Sequence, residues 1–254
     1  TPNGVPLHWL DDEVSLVLDP DVPESVAEDL AQTFEQAIKP WNDLSCVSTS
    51  LVIEGVESCP GEIVDDGVNC VVWVDKPELW RWPSHLVGIT LVHFEGDTGR
   101  IIDTDMEFNG AFTTWSTGTE CTDEHHDLWA TVTHEVGHLL GLDHSNRPQA
   151  TMNAVTFPGD CKKRTLHEDD EETVCGLYAG IPYVTDGGSS ATDGGNSGSG
   201  DASSTGGGDS GGEGNSVGCG ATPGDSGPLW AMVIGAGWLA SHRRRRRPSP
   251  YRAR

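Results

Sequence analysis

The spacing of hydrophobic positions changes several times along the first 180 residues, and each spacing predicts a different element. Val14, Leu16 and Leu18 fall on every second position, the pattern of a half-buried strand. Val26, Leu30, Phe34 and Ile38 recur every fourth residue, which predicts a helix that Pro23 starts and Pro40 stops. Leu51 to Ile53 and Val71 to Val74 are short β-branched runs. Gly88 to Phe94 and Arg100 to Phe108 read as two strands around a Gly96-Asp97-Thr98-Gly99 turn. The order strand, helix, several strands, helix, loop, helix predicts an α/β (α+β) sandwich built on a mixed sheet.

The pattern stops near Pro182. From Thr185 to Gly218 the chain is almost wholly Gly, Ser, Thr, Asp, Asn and Ala, with Val217 as its one large apolar residue. That is too little to offset ordering entropy, so a disordered tether reaching on the order of 30 Å is expected. Beyond it, Leu229 to Ala240 is apolar, and seventeen uncharged residues separate Asp225 from Arg243. Such a span is near the lower limit of about 17 residues for a membrane-crossing helix. Trp230, Trp238 and Arg243 to Arg247 are types found at a bilayer interface and on its cytoplasmic side. A buried core helix is the alternative, but a segment behind a tether has no core to join. The expected organisation is a catalytic domain at 1–182, a linker at 183–218 and a tail at 219–254.

Charge follows this division. The net charge is −25, yet residues 1–180 hold 34 acidic against 8 basic residues, a balance of −26, while the last fourteen residues are purely basic. A surface of that sign repels a polyanion, which excludes nucleic acid as a partner. It fits a solvated, secreted surface or bound calcium. Six of the seven cysteines (Cys46, Cys59, Cys70, Cys121, Cys161, Cys175) lie in the first domain. No close C-x-x-C pair exists, so three disulfides and an oxidising compartment are expected over bound thiolates. Fifteen pairings stay open, although Cys59 with Cys70 and Cys161 with Cys175 would close short loops. The chain starts at Thr1 without a Met or an apolar leader, so for an exported protein a signal segment is expected to have been removed.

The chemistry concentrates between Leu128 and His144. On a helix, His134 and His138 stand one turn apart on one face and can reach one zinc ion, with Glu135 beside them to act on a water. Gly141 can take the left-handed conformation that ends the helix, so that His144 arrives from a loop as a third ligand. Three neutral imidazoles leave a fourth zinc position open, as a hydrolytic site requires. With 32 Gly and 10 His in 254 residues, Gly141 and His144 at fixed offsets lower the chance of an accidental match by about 200-fold.

These residues resemble the metzincin zinc endopeptidases, whose H-E-x-x-H-x-x-G-x-x-H signature is matched at every fixed position. Asp143 and Ser145 around the third His look like the matrixin branch. The resemblance implies a twisted mixed sheet with an active-site helix and a C-terminal helix. It implies a Met turn beneath the zinc, filled here by Met152, and a substrate-binding edge strand similar to Arg100 to Asn109. Leu166 to Gly180 looks like the C-terminal helix. Where matrixins carry Pro-x-Tyr lining the pocket for the residue beyond the scissile bond, this chain has Ala154 and Thr156. The family's structural-zinc histidines have no convincing counterpart in His85 and His93.

Other residues have plainer readings. Asp103, Asp105 and Glu107 alternate along one strand face, read as a solvated face with calcium binding or a cleft-edge role as the alternative. His125 and His126 are expected at the surface, and Trp80, Trp82, Trp115 and Trp129 are expected to pack. The tail, with Gly218-Cys219-Gly220, an apolar span and an arginine cluster, resembles the myxobacterial C-terminal sorting signal. That likeness implies export to the surface of a bacterium, with Cys219 as a processing or lipid-attachment point; a permanent membrane anchor is the alternative. The expected function is a secreted, surface-tethered zinc endopeptidase with a monomeric catalytic domain acting on proteins or peptides. A zinc-containing surface adhesion module without catalysis is the competing reading.

Overall fold

The structure is a computed structural model that describes residues 4–59 and 65–179. The tether, the apolar span, the arginine block and Cys219 lie outside the described residues. No helix among the described residues is long and apolar enough to cross a membrane.

The alternating run forms β1 (Glu13–Leu18), whose Val14, Leu16 and Leu18 are buried as their spacing requires. The four-residue stripe forms two helices instead of one, α1 (Glu24–Ala27) and α2 (Leu30–Asn42). Pro40 does not stop the second. Trp41 is buried beside it, and its indole Nε1 donates to the Thr133 carbonyl at 3.0 Å. That anchoring holds the last turn although proline removes one helical N–H.

Four further strands follow: β2 (Ser50–Val56), β3 (Asn69–Val74), β4 (Gly88–Phe94) and β5 (Ile101–Asn109). They join β1 in a sheet of order β2-β1-β3-β5-β4, parallel except for the antiparallel β4 to β5 pair. A tight turn links that pair: Glu95 N–H donates to the Arg100 carbonyl, and Gly99 supplies a φ of 74°. Two short strands, β6 (Trp115–Ser116) and β7 (His126–Asp127), lead into α3 (Leu128–Leu139), and α4 (Glu168–Tyr178) ends the described chain. Helices α2 and α3 pack together. The core they share with the sheet includes Phe34, Trp41, Val71, Met106, Phe108, Val132 and Val136. Trp73 stacks on Phe108 with centroids 4.8 Å apart, and Phe34 and Trp115 meet Phe108 edge-on.

Three expectations are corrected here. The strand at 101–109 is not the edge: β5 lies between β3 and β4, and β4 has a neighbour on one side only. Nor is the face carrying Asp103, Asp105 and Glu107 solvated, since all three are buried. The alternation was correct, but chain from both flanking loops covers that face. Cys70 N–H donates to Asp105 Oδ1 at 2.9 Å, and Arg81 and the Trp82 indole donate to the two Glu107 oxygens at 2.7 and 2.5 Å. Finally, Cys59 pairs with Cys70, but Cys161 pairs with Cys121 and Cys175 with Cys46. The Cys46 to Cys175 bridge spans 129 residues and ties the segment after α2 to α4. Proximity in sequence could not indicate that pairing.

Candidate metal centre and active site

Helix α3 begins where Asp127 caps it, the carboxylate accepting from Ala130 N–H at 2.7 Å. Arg164 also engages this carboxylate, so the cap is held from a second element. At the other end Gly141 takes a φ of 96°, as the motif predicts, and a Cβ there would strike the Leu7 carbonyl. Two carbonyls near this end find side-chain donors: the Trp9 indole gives to Leu139 at 2.9 Å and the Tyr178 hydroxyl to Leu140 at 3.2 Å. The chain therefore reverses at a fixed place and brings His144 back over the helix.

The three histidines converge as expected. Their ring centroids lie 4.7 to 5.3 Å apart, and each offers a ligand nitrogen within 4.8 Å of the others. Two are oriented by backbone carbonyls: His134 Nδ1 meets Thr151 O at 2.6 Å and His138 Nδ1 meets Leu142 O at 2.9 Å. A proton on Nδ1 leaves Nε2 as the lone-pair nitrogen on both rings. His138 Nε2 and His144 Nε2 face each other at 3.2 Å. Two Zn–N bonds of about 2.0–2.1 Å at a tetrahedral angle would set their nitrogens about 3.3 Å apart, close to that separation. Burial lowers the pKa of all three, His138 to about 3, so the rings stand in the neutral form that binds metal. The donor set fits zinc.

Glu135 is buried beside the triad, and Thr90 of β4 donates its hydroxyl to Oε2 at 2.6 Å. Burial raises the Glu135 carboxyl to about 7, while the Thr90 bond and the Lys163 charge oppose the shift. A carboxyl tuned to that range is suited to taking and giving a proton near neutral pH. Met152 lies under the triad with its sulfur against Gly137, where a Cβ would collide with it. Asp170 of α4 fixes this turn by accepting from Thr151 N–H at 2.7 Å and Met152 N–H at 2.9 Å. Ser145 N–H donates to the Met152 carbonyl at 2.7 Å, so the loop of the third histidine and the Met turn move as one piece.

The acidic trio does not come together as a group. Glu107 is engaged by Arg81 and Trp82, whereas Asp103 joins Asp65 and His93, with ligand atoms within 4.8 Å of one another. Both Asp103 oxygens are buried, and the Gly67 backbone is the one hydrogen-bonding group that bears on them, among the described residues. Burial and the charges of Asp105, Asp66 and Asp65 push its carboxyl up to about 8. His126 is half-buried against Trp115, with centroids 6.4 Å apart, while His125 sits at 3.3 Å from the Thr122 hydroxyl. Trp80 and Trp115 pack inward as expected. Thr90, Lys163 and Asp170 were not singled out by the motifs. Only the acidic start of the last helix hinted at Asp170, and a threonine in a strand or a lysine in a basic run carries no local signal.

A mixed sheet with an antiparallel edge strand over a three-histidine centre, closed below by a methionine turn, supports a matrixin-like metzincin. Residues 70–179 match the family model described as Matrixin. The chain is similar to metalloendoproteinase 5-MMP of Arabidopsis thaliana, at 41% identity over 76 residues, 30% of this chain and 21% of that protein. It is also similar to human stromelysin-3 (29% over 149 residues, 54% of this chain and 27% of that protein). Human matrix metalloproteinase-25 matches at 35% over 107 residues, 41% of this chain and 18% of that protein. The chain thus spans 18 to 27% of the length of these relatives. The family match and these relatives support a zinc metalloendopeptidase, a hydrolase.

Proposed function

We propose that this protein is an exported endopeptidase that hydrolyses peptide bonds with zinc held by His134, His138 and His144 and with Glu135 as general base. The observation that carries the reading is the convergence of three imidazoles, with His138 and His144 Nε2 atoms 3.2 Å apart, beside a buried carboxylate held by Thr90 at 2.6 Å. Zinc, when bound, supplies Lewis acidity to a water nucleophile and to the scissile carbonyl. Glu135 takes the proton of the attacking water and passes it to the leaving amine. Thr90 keeps the carboxylate turned toward the cleft. Edge strand β4 gives an extended peptide its main-chain pairing, laying the scissile bond across the triad. Met152 shapes the floor without ligating metal.

Peptide cleavage by zinc-loaded wild type and Glu135→Ala tests this in parallel. The variant is expected to bind zinc normally and lose on the order of 10²- to 10⁴-fold in kcat. Equal rates would sink the mechanism, and cleavage of nothing by wild type would favour the adhesion module.

A second cation is favoured by one further observation, the buried oxygens of Asp103 facing Asp65 and His93. The calcium set proposed from the strand face gives way to this one, in which an imidazole among the ligands speaks for zinc over calcium. Three disulfides among the described residues support export. Tethering through the tail, with Cys219 as the processing or lipid-attachment point, remains our reading of residues 219–254. Mass spectrometry of the mature C-terminus tests it, residues beyond 228 pointing to a permanent anchor instead.

A further inference from the structure

The bridge between Cys121 and Cys161 closes a ring of chain around the whole candidate centre, since Asp127, Glu135, the three histidines and Met152 all lie between its ends. The two stretches it joins have little else to hold them. None of residues 116–126 or 157–162 is buried, and none of their side chains belongs to the hydrophobic core. Their remaining ties are polar: Gly159 N–H donates to the His125 carbonyl at 3.0 Å, and Arg164 donates to the Gly118 and Thr119 carbonyls at 2.7 and 2.8 Å. Yet the chain just after the bridge grips the centre at two points. Arg164 engages the Asp127 carboxylate that caps α3, and the Lys163 ammonium donates to the carbonyl of Asn153, next to Met152. Of the six paired cysteines Cys121 alone is exposed, while Cys161 is half-buried with its sulfur 3.5 Å from Asp127 Oδ2.

We propose that this bridge is a redox switch on the centre: a thiol reductant opens it and slackens the segment that carries the histidines and Glu135, and oxidation after export restores them. This rests on the endopeptidase reading. An incoming thiolate attacks the exposed Cys121 sulfur, the S–S bond breaks, and Cys161 leaves as a thiolate. A second thiol then resolves the mixed disulfide, so the reductant ends as a disulfide and two electrons and two protons pass to the two cysteines. The Cys161 thiol so formed lies against the Asp127 carboxylate, on which the start of α3 depends. With the covalent link gone the two stretches part readily, because surface polar bonds exchange with water at little net cost and no buried apolar contact opposes the opening. Parting takes the Gly118 and Thr119 carbonyls from Arg164 and loosens the grip of this segment on Asp127 and Asn153, so the cap of α3 and the Met turn lose their braces together. The other two bridges have core neighbours that keep their ends in place. Cys70 is itself buried in β3, and Cys175 follows buried Val174 in α4. The consequence is an enzyme that is idle in a reducing compartment and active in an oxidising one.

The test measures zinc affinity and peptide cleavage of the full chain in glutathione buffers of rising reducing power, with Cys121→Ser/Cys161→Ser as the permanently open form. Alkylation and mass spectrometry are expected to find Cys121 and Cys161 reduced before the other four cysteines. The opened protein is expected to keep its folded circular dichroism, to bind zinc about 10- to 100-fold more weakly and to lose cleavage by a similar factor, the range that follows loss of the groups orienting metal ligands. Reoxidation should restore both. The double variant should match the reduced wild type and ignore glutathione, which separates the bridge from capture of zinc by the thiol. Unchanged zinc affinity on opening overturns the proposal, as does opening of another bridge first. Global unfolding of the reduced wild type and the variant together also overturns it, since the bridge would then hold the fold and not the centre. A wild type that cleaves no peptide in either state overturns the endopeptidase reading alone, because zinc affinity still decides the switch.

Discussion

The histidine centre and the Asp65–His93–Asp103 cluster are two groups of candidate metal ligands among the described residues, built in opposite ways. In the first, two of the three rings are oriented by a backbone carbonyl, and the rings are neutral before any ion arrives. In the second, the buried member is a carboxylate that the Gly67 backbone meets, with further carboxylates close by that push its pKa up. A preorganised neutral site can bind and release an ion without destabilising the fold. A cluster of uncompensated carboxylates becomes a cost to the fold whenever both cation and proton are absent. The first suits chemistry and the second suits holding a loop, here the one that the Cys59 to Cys70 bridge closes.

The sharpest way to break this contrast is to remove what preorganises the first centre. Asp170→Ala leaves the amides of Thr151, Met152 and His167 without their buried acceptor. A loss of about 3 kcal/mol in unfolding free energy is expected, along with weaker zinc binding, since the Thr151 carbonyl that orients His134 would drift. Denaturant unfolding and zinc titration measure the two effects, and unchanged zinc affinity would show that the Met turn is not what positions the ring.

A smaller effect is expected at Glu135, the proposed base. Thr90→Val keeps the shape of β4 and removes the hydroxyl from Glu135, so kcat should fall by about tenfold while Thr90→Ser stays near wild type. If kcat is unchanged and KM rises, Thr90 serves peptide binding at the edge strand instead.

The mildest expected change concerns the second cluster. With metal removed, the folded state holds the Asp103 proton up to about pH 8, while the unfolded chain releases it near 3.8. The folded form therefore binds more protons between those values, and its stability declines as pH rises through that window. Asp103→Asn should raise the melting temperature of metal-free protein at pH 8, have no effect near pH 4, and lower the bound metal by one ion in the loaded protein. Equal melting temperatures at pH 8 together with unchanged metal content would remove the cluster from consideration as a cation site.

Much of the fold was legible from the spacing of apolar residues. The alternation in β1 and the β-branched runs of β2 and β3 became strands because a period of two leaves one face to bury. The helix of the catalytic motif ended at Gly141 because a left-handed residue was needed there. Local pattern failed where distant chain decided the outcome. Trp41 carried α2 through Pro40 by bonding to Thr133 in another helix. Which strand lay at the edge depended on where the β4 to β5 hairpin docked, and the burial of Asp103 and Asp105 depended on loops folding over them. Cys175 found Cys46 across 129 residues, a pairing without a local signature.

The sequence by itself determined the identity and convergence of His134, Glu135, His138 and His144, because helical geometry and one left-handed glycine fix those spacings within eleven residues. Only the tertiary structure decided what surrounds them: Thr90 on Glu135, Asp170 under the Met turn, and a lysine from a basic run turned inward beside the centre. The physical reason is range. Backbone geometry acts over a few residues, whereas burial and the charge of a desolvated side chain depend on segments that meet only once the chain has folded.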